Sequence, residues 1–377
     1  MREGWEYKKL GEVCHITMGQ SPAGNSINEN EGIEFHQGKT CFGDRFLGIS
    51  SLYSNSPLRI AEPNSVLLCV RAPVGFPNIT DRKVCIGRGV CALMAKEILD
   101  NIFLYYSLLW KQSYFEKNAT GSTFKAISSK VVSNTPIAIP SKSVQLAIVA
   151  ELDQINDLIR LKKEQLKEYD NLAQSIFYDM FGDPVENEKG WEVKPLGEFG
   201  FLGRGVSKHR PRNAPELLGG TMPLVQTGDV ANSGMYLTKY NSTYSDLGVA
   251  QSKIWEKGTL CITIAATIGK CAILSFRACF PDSVVGFLCN EKICNNVYMY
   301  FIFSCLQKIL EEEAPAVAQK NINLKKLNSL MIPLPPLLLQ QEFSTRIEQI
   351  EKLKAEVQKT ITDLETLLAS RMQYWFE

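Results

Sequence analysis

The sequence contains two related halves, and this internal repeat restricts the possible folds more than any other feature. Gly4–Glu12 (GWEYKKLGE) recurs as Gly190–Glu198 (GWEVKPLGE), 186 residues later. Asn101–Phe181 aligns with Asn296–Phe376 without a gap at an offset of 195 residues. The offset grows only between such blocks, which is expected when two copies of one fold differ in the lengths of their surface loops. The sequence therefore predicts two domains that share one fold.

Each copy combines short apolar strands with helices. Continuous apolar runs between Gly and Pro residues are typical of buried strands, and longer runs rich in Tyr, Phe and Leu are typical of helices. The predicted pairs of elements are the strands Val66–Val70 and Leu260–Ile264, the helices Asn101–Phe115 and Asn296–Leu310, and the strands Thr135–Pro140 and Leu330–Pro335. This mixture predicts the α/β class, in the broad sense of mixed α+β, for both domains.

A long helix with a heptad seam follows each domain. Apolar residues recur at steps of three and four in the same register in both copies, and charged residues interrupt the seam at Lys162, Lys354 and Arg371. The seam residues are Ile148, Leu152, Ile155, Ile159, Leu166, Tyr169, Ala173, Ile176 and Met180 in the first helix, and Phe343, Ile347, Ile350, Val357, Ile361, Leu364, Leu368 and Trp375 in the second. Because neither helix can bury such a stripe alone, we expect an antiparallel coiled coil and a pseudo-twofold arrangement. The alternative is that each helix packs only on its own domain.

The repeat and the helices together predict four segments. These are a first domain at 1–142, a central spacer helix at 143–183, a second domain at 184–337 and a C-terminal spacer helix at 338–377. The 39 residues from Ser143 to Phe181 would form a helix about 58 Å long. Two similar modules held at a set distance suit duplex DNA, where the spacing of half-sites mirrors the spacing of the modules that read them.

Composition narrows the class of protein. The chain has 377 residues, of which 45% are hydrophobic and 21% charged, as in a globular protein of two or three domains. No apolar stretch reaches the roughly 20 residues of a membrane span and no secretory leader is apparent, so we expect a cytoplasmic protein without membrane contact. Eleven cysteines at irregular spacing are expected to be reduced core residues. With three histidines and no CxxC pair, no metal site is predicted.

No sequence motif for catalysis is present. Gly38-Lys39-Thr40 lacks the spacing and the strand–loop–helix context of a phosphate-binding loop. Gly203-Arg204-Gly205 is a lone GxG, and no Asn/Asp-Pro-Pro-aromatic tetrapeptide of an adenine methyltransferase occurs. We therefore expect a chain that is not an enzyme and holds no cofactor of its own.

Polar and basic residues in loops beside the strands are the candidates for DNA contact, since lysine and arginine bind phosphates and amides read base edges. The net charge of +1 is low for a nucleic-acid binder, so specific contacts would rest on a few well-placed groups. His209, Arg210 and Arg212 extend a basic run found only in the second copy. The candidates are Gln37, Lys39, Arg71, Ser122, Thr123 and Lys125 in the first copy, and Arg204, Lys208, Gln226, Thr227, Lys270, Gln319, Lys320 and Asn321 in the second.

The order of several short motifs resembles the type I restriction–modification specificity subunit over essentially the whole chain. The pattern Trp-x-x-x-x-Leu-Gly-Glu opens both halves, at Trp5–Glu12 and Trp191–Glu198. An Ile-Gly-Lys turn lies at Ile268–Lys270, the tetrapeptide Gln-Lys-Asn-Ile at 319–322, and Ile-Pro-Leu-Pro-Pro leads into the helix at Ile332–Gln341. Copy one departs from the pattern at Ala72–Phe76 and Phe124, which leaves its exact contact residues open.

The resemblance implies a mechanism. Each domain would be a target recognition domain that reads one half of a bipartite, asymmetric site in double-stranded DNA. The paired helices would set the gap between the half-sites and dock two methyltransferase (M) subunits. Those subunits would bring S-adenosylmethionine, and restriction motor–nuclease (R) subunits would bring ATP and Mg²⁺.

Two alternatives stay open at the level of the sequence. The chain could be the specificity subunit of a related system in which one polypeptide both cuts and methylates DNA. It could also be a tandem-domain scaffold that joins proteins through its coiled coil and binds no DNA.

Overall fold

The chain folds into two compact units. The computed structural model describes residues 4–121, 125–265, 267–312 and 323–377, except for the side chains of residues 308 and 310–312. Unit 1 comprises Met1–Lys163 with Lys359–Glu377, and unit 2 comprises Glu164–Gln358. Each unit therefore contains one globular domain, the beginning of the long helix that follows that domain, and the end of the other long helix.

Unit 1 is built on three sheets among its described residues. The strand orders are β1-β11, β2-β10-β7-β8 and β3-β5-β4-β9-β6. The strands are β1 (Glu6–Lys9), β2 (Cys14–Met18), β3 (Ile27–Asn28), β4 (Ile33–His36), β5 (Tyr53–Ser54), β6 (Ile60–Ala61), β7 (Val66–Cys69), β8 (Pro77–Ile79), β9 (Val84–Ile86), β10 (Val90–Ala95) and β11 (Pro136–Ile139). The helices are α1 (Leu10–Val13), α2 (Asn101–Trp110), α3 (Gln112–Lys117), α4 (Ser129–Asn134) and the long α5 (Lys142–Phe181), which continues into unit 2.

Among its described residues, unit 2 also has three sheets, with one strand more in the second sheet and one fewer in the third than in unit 1. Its strand orders are β12-β22, β13-β21-β18-β19-β15 and β16-β14-β20-β17. The strands are β12 (Glu192–Pro195), β13 (Gly200–Arg204), β14 (Leu218–Leu224), β15 (Tyr236–Leu237), β16 (Ser242–Tyr244), β17 (Ile254–Trp255), β18 (Leu260–Thr263), β19 (Cys271–Leu274), β20 (Ala278–Cys279), β21 (Val284–Cys289) and β22 (Met331–Leu334). The helices are α6 (Leu196–Phe199), α7 (Thr227–Ala231), α8 (Asp246–Ala250), α9 (Asn296–Glu312), α10 (Leu324–Asn328) and the long α11 (Leu337–Phe376).

Strand register repeats between the units as well as strand order. Phe35 of β4 pairs in parallel with Cys85 of β9, and Leu224 of β14 pairs in parallel with Cys279 of β20. These four residues occupy matching positions in the sequence repeat. Because a slip by one residue would move every side chain to the other face of the sheet, matching register shows that the halves share one fold and not only one composition.

A buried glutamine sets the start of each long helix. Gln145 is fully buried, accepts a hydrogen bond from the backbone nitrogen of Asp100 at 2.8 Å and donates to the carbonyl of Pro140 at 2.9 Å. Gln340 repeats this pattern with the backbone nitrogen of Asn295 at 3.0 Å and the carbonyl five residues before it at 2.9 Å. These bonds satisfy backbone groups that the turn into the helix would otherwise bury without partners.

The two long helices run antiparallel within each unit. In unit 1, Glu151 of α5 accepts hydrogen bonds from Arg371 and from Trp375 Nε1 of α11, and Lys163 pairs with Glu365 at 3.2 Å. Residues later in α5 therefore contact residues earlier in α11. In unit 2, Lys354 lies 2.7 Å from Asp170 and the rings of Phe177 and Phe343 are 5.7 Å apart, with the same polarity. The alternative in which each helix packs only on its own domain is therefore wrong.

The predicted seam needs one correction. Towards the end of α5 the structure buries Phe177 completely, whereas Ile176 and Met180, the predicted seam residues, are only half-buried. An α-helix has 3.6 residues per turn, so its buried face drifts relative to a strict heptad pattern. Near the end of α11, Met372 is buried for the same reason, although the predicted seam passes through Trp375.

The helix predicted over Asn101–Phe115 is also corrected. The structure divides it into α2, which ends at Trp110, and α3, which begins at Gln112. At Lys111 the backbone bonds to both the third and fourth preceding carbonyls, a tightening that is common at helix ends. Phe115 is fully buried after this break. The second predicted helix, from Asn296, extends to Glu312.

The structure also bears on three expectations from composition. All eleven cysteines lie in the described part of the chain, and each is free, eight of them buried. Among the described residues, no helix is long and apolar enough to cross a membrane. The same residues hold no group of three or more His, Cys, Asp and Glu side chains placed to bind a metal ion.

Candidate nucleic-acid interface

In unit 1, the backbone brings three of the predicted segments side by side. Gly89 donates to the carbonyl of Gln37 at 3.1 Å, and Val70 donates to the carbonyl of Gly89 at 2.8 Å. Two residues further along, Ala72 donates to the carbonyl of Lys125 at 2.9 Å. The segments that carry Gln37, Arg71 and Lys125 are thus neighbours, and these three side chains are exposed. They form a continuous polar and basic edge where β4, β7 and β9 end.

Lys39 contributes a third cation to this edge, after Arg71 and Lys125. Its Nζ lies 3.4 Å from the centre of the Phe76 ring, within the range of a cation–π contact. In unit 2 the position aligned with Phe76 is Lys270, which is exposed. The backbone contacts support the alignment. The Cys69 nitrogen donates to the carbonyl of Phe76 at 2.9 Å, and the Thr263 nitrogen donates to the carbonyl of Lys270 at 2.9 Å, with the acceptor seven positions after the donor in both units. Both units therefore carry a lysine here, but it comes from different segments.

A glycine turn shapes this edge in both units. Gly75 has φ +86° and Gly269 has φ +79°, a region that L side chains rarely adopt. A Cβ added at Gly75 would lie 3.1 Å from the carbonyl of Gln112, and one added at Gly269 would lie 3.2 Å from the Cα of Gln307. The turn thus packs against a helix that a side chain would push away. Arg71 and Lys270 lie on opposite sides of their turns.

Unit 2 has a cavity at the matching place. It has a volume of about 200 Å³, and Gln226, Thr227 and Arg212 line it together with Tyr244 and Ser283. Of the sequence candidates, the structure therefore joins Gln226 and Thr227 to Arg212, which belongs to the basic run of the second copy. This grouping gives amide, hydroxyl and guanidinium groups that could bind a base edge or a phosphate.

Unit 1 carries different residues at the aligned position. The Phe35 ring is buried there, and a Cβ added at Gly87 would lie 3.0 Å from it. In unit 2 the aligned residues are Leu224 and Pro281. The two units therefore present different shapes on one backbone framework.

The basic run of unit 2 is partly neutralised. Arg212 pairs with Asp282 at 2.6 Å, and Arg210 lies 4.0 Å from the same carboxylate. Lys208 is exposed, and its backbone nitrogen is held by Gln251. Arg204 lies at the end of β13, opposite Val285, and is half-buried. The Arg210 side chain is 57% exposed and is therefore more open to solvent than the Arg212 side chain, which is 44% exposed.

Five candidates fall outside the described residues. They are Ser122, Thr123, Gln319, Lys320 and Asn321. Lys125, directly after the first gap, is described and exposed. The roles of all the candidate residues stay predictions.

A charged group next to Gln37 was not predicted from the sequence. Glu34, whose side chain is 10% exposed, accepts hydrogen bonds from Arg82 Nε at 2.7 Å and from the backbone nitrogen of Ser50 at 2.7 Å. It also lies 2.9 Å from His36 Nε2. These residues are far apart in the sequence, so no local spacing of residues predicts that they meet. The sequence offers only the alternation of Glu34 and His36 as a weak signal, and the full burial of the histidine side chain is seen in the structure.

The charge state of this group follows from its contacts. Burial raises the pKa of Glu34, but hydrogen bonds from Arg82 and from the Ser50 backbone outweigh burial and lower the pKa to about 2. Burial lowers the pKa of His36, so its imidazole is neutral at neutral pH. The pair of Glu34 and Arg82 therefore remains ionised at neutral pH.

Two segments of the chain match one family of protein domains. The family described as the type I restriction modification DNA specificity domain matches residues 2–169 and residues 188–366, one match for each copy of the repeat. The chain belongs to this family. The match confirms the resemblance inferred from the Trp-x-x-x-x-Leu-Gly-Glu openings and the Gln-Gln helix entry.

Curated relatives carry names from the same family. The chain is 38% identical over 178 residues to the MjaX type I restriction enzyme specificity subunit of Methanocaldococcus jannaschii, which covers 46% of this chain and 42% of that protein. It is 28% identical over 222 residues to the MjaIX specificity subunit of the same organism, covering 52% and 51%. It is 22% identical over 308 residues to the EcoBI specificity subunit of Escherichia coli, covering 73% and 64%.

These alignments span about half the length of the curated relatives. All three relatives are named as specificity subunits, which confirms the class of subunit predicted from the sequence.

Solved structures support the fold over the whole chain. The type I restriction–modification S subunit from M. genitalium covers 99% of this chain and 96% of its own, at 16% identity and a TM-score of 0.58. A chain from a study of assembly and conformational transition of the type I system covers 99% and 97%, at 18% identity and a TM-score of 0.63. At such identities the likeness concerns the fold, and it confirms the predicted class of two similar domains with two long helices.

Proposed function

We propose that this chain is the DNA sequence-specificity subunit of a type I restriction–modification complex, without catalytic activity of its own. Unit 1 reads one half of a bipartite, asymmetric site in double-stranded DNA and unit 2 reads the other half. Methyltransferase subunits, which bring S-adenosylmethionine, and restriction motor–nuclease subunits, which bring ATP and Mg²⁺, assemble with it and perform the chemistry.

The repeated edge of polar and basic residues is the observation that carries this proposal. In both units a glutamine, Gln37 or Gln226, follows the same parallel strand pair, and a glycine turn lies beside it. Rigid strands place these side chains, and loops supply their variety, as is common for recognition sites. A repeated site fits a ligand with two similar targets.

Differences between the two edges favour an asymmetric DNA site. Unit 2 has a cavity lined by Gln226, Arg212 and Leu224, and unit 1 has the larger Phe35 side chain at the position aligned with Leu224. Unit 1 holds its lysine over the Phe76 ring, and unit 2 places Lys270 at the aligned position. Different shapes and donor sets at matching places select different bases.

Apolar side chains on the outer faces of the long helices support the docking of partner subunits. In the part of α5 and α11 that belongs to unit 1, Leu146, Leu161 and Leu367 are about half exposed. In unit 2, Leu172 and Leu353 are exposed to a similar degree. Exposed apolar residues on a helix face are a common feature of protein–protein interfaces.

Co-expression with the methyltransferase subunit and sequencing of adenine methylation would test the proposal. We expect one bipartite motif that disappears when this chain is omitted. Gln37→Ala should relax the base preference in one half of the motif, and Gln226→Ala in the other half, with the gap unchanged.

Each of these two variants serves as the control for the other, because each leaves the opposite edge intact. Methylation without a motif, or both variants affecting the same half, would contradict the division of reading between the units. Assembly of partner subunits without any DNA preference would favour the scaffold alternative.

A further inference from the structure

One arginine holds the far end of the loop that carries Gln37 and Lys39. This 37–50 loop leaves β4 after His36 and returns near Ser50. Arg82 donates from Nη1 to the carbonyl of Leu47 at 3.2 Å and from Nη2 to the carbonyl of Gly48 at 3.0 Å. The same guanidinium binds Glu34 through Nε and Nη2. Arg82 thus donates two hydrogen bonds to carbonyls of this loop and two to the Glu34 carboxylate.

The Glu34 carboxylate completes the contact with both ends of the loop. It accepts from the backbone nitrogen of Ser50, where the loop closes, and from His36, the residue directly before Gln37. A single ion pair therefore joins the beginning and the end of the loop. A loop fixed at both ends loses less conformational entropy when it binds a ligand.

The middle of the loop is held independently of this ion pair. Arg45 forms a bidentate pair with Asp153 of α5 at 2.8 and 3.3 Å, and Tyr105 donates to the carbonyl of Asp44 at 3.2 Å. Loss of Arg82 is therefore expected to loosen the end of the loop near Gly48 while the domain stays folded. Gly48 donates to the carbonyl of Cys41 at 2.8 Å, so this end adjoins the segment that carries Lys39.

Unit 2 shows that the fold does not need the ion pair. Pro223, Val225 and Phe276 occupy the positions aligned with the carboxylate, the imidazole and the guanidinium of unit 1. Val225 is fully buried, and the Phe276 ring lies 5.1 Å from the ring of Tyr240, which belongs to the corresponding loop. Apolar packing replaces an ionic network here, a change that is often neutral for stability.

We propose that Arg82 is a positioning residue for DNA recognition by unit 1. Through its pair with Glu34 it holds the 37–50 loop in the arrangement in which Gln37 and Lys39 reach the DNA. Reading of one half-site therefore depends on the ion pair of Glu34 and Arg82, which has no counterpart at the aligned positions of the other unit. This inference rests on the proposed function.

The test uses the full chain with the methyltransferase subunit and two sets of DNA duplexes. Each set is made from the motif found by methylation sequencing and is randomised in one half-site, with Gln37→Ala and Gln226→Ala identifying which unit reads which half. Arg82→Met should reduce discrimination at the unit 1 half-site about tenfold and change the other by less than about twofold. Phe276→Leu is the matched control in unit 2 and should leave the unit 1 half-site unchanged.

Two further variants separate positioning from folding. Arg82→Lys should recover part of the discrimination, because an ammonium keeps the charge but cannot bind the carboxylate and two carbonyls in one planar fork. Glu34→Gln with Arg82→Met removes both charges, so no unpaired carboxylate is left buried, and should show the same selective loss with a near wild-type melting temperature.

Full discrimination at the unit 1 half-site in the folded double variant would overturn the proposal. Equal losses at both half-sites with Arg82→Met would also overturn it, since that would indicate a general structural effect. Absence of any bipartite preference in the wild-type complex would refute the proposed function itself, and this inference with it.

Discussion

At the scale of residues, the candidate site combines side chains that could be predicted from the sequence with side chains that could not. Gln37 and Gln226 were found because they recur at matching positions in the repeat. Glu34 and Arg82 lie 48 residues apart, and only the fold brings them within hydrogen-bond distance. The repeat gave no help with this pair, because the aligned residues of unit 2 are apolar.

Lys39 offers a test of phosphate binding at this scale. Lys39→Met should weaken binding to all duplexes about equally and reduce the slope of log K against log salt by about one, since one phosphate contact is lost. Binding measured between low and physiological salt would show this. Lys83→Met is a suitable control, because it removes a lysine at the opposite end of β9 from Gln37. Lys83 directly precedes β9 and pairs with Glu62, whereas the segment after β9 bonds to Gln37. A sequence-dependent loss with Lys39→Met would indicate base contact instead.

Glu34 predicts a specific dependence of stability on pH. Its pKa is lowered from 4.5 to about 2 in the folded chain, so its ion pair stabilises the fold above about pH 4.5 and is lost as the pH falls toward 2. Glu34→Gln should lower the free energy of unfolding by about 1–3 kcal/mol at pH 7. The difference from wild type should shrink between pH 4.5 and pH 3 in denaturant titrations. A constant difference over this range would contradict the assignment.

At the scale of elements, the sequence predicted the long helices well and their buried face less well. The heptad pattern located α5 and α11 because apolar periodicity is a strong local signal. The position of the buried face near Phe177 depends on aromatic neighbours from two other helices, Tyr298 and Phe301 of α9 and Phe343 of α11. A single-helix pattern cannot contain that information.

Phe177→Ala tests which residue forms the seam. Because Phe177 is fully buried, its truncation should reduce the free energy of unfolding by about 3–5 kcal/mol. Ile176→Ala, at the position that the heptad pattern selects, should cost less because Ile176 is only half-buried. Leu172→Ala on the exposed face should change stability by less than about 0.5 kcal/mol. Thermal or urea unfolding would rank the three variants, and a larger loss for Ile176→Ala would restore the original heptad assignment.

At the scale of the whole molecule, each long helix belongs to both units. α5 starts in unit 1 and ends in unit 2, and α11 does the reverse. Each helix has 40 residues, or about 60 Å at about 1.5 Å per residue. Under the proposed function, the length of this helix pair determines the gap between the half-sites.

Lengthening both helices together tests that role. One heptad inserted after Lys163 and one after Gln358 would preserve the antiparallel register and add about 10 Å, which corresponds to about three base pairs. Methylation sequencing should show a longer gap between unchanged half-sites. Insertion into α5 alone is the control and should abolish the motif, because it shifts the seam of one helix against the other. An unchanged gap, or altered half-site bases, would argue against the helices as a ruler.

The sequence by itself determined the duplication, the mixed class of each domain and the two amphipathic helices, because each of these is written as periodicity or repetition along the chain. Tertiary structure alone decided which polar side chains meet. Glu34 with Arg82 and Lys39 with Phe76 are contacts between segments far apart in sequence, and Gln226 and Arg212 line one cavity; all three arrangements depend on strand register and loop shape. Side chains at such sites follow no period, so only the packed fold brings them together.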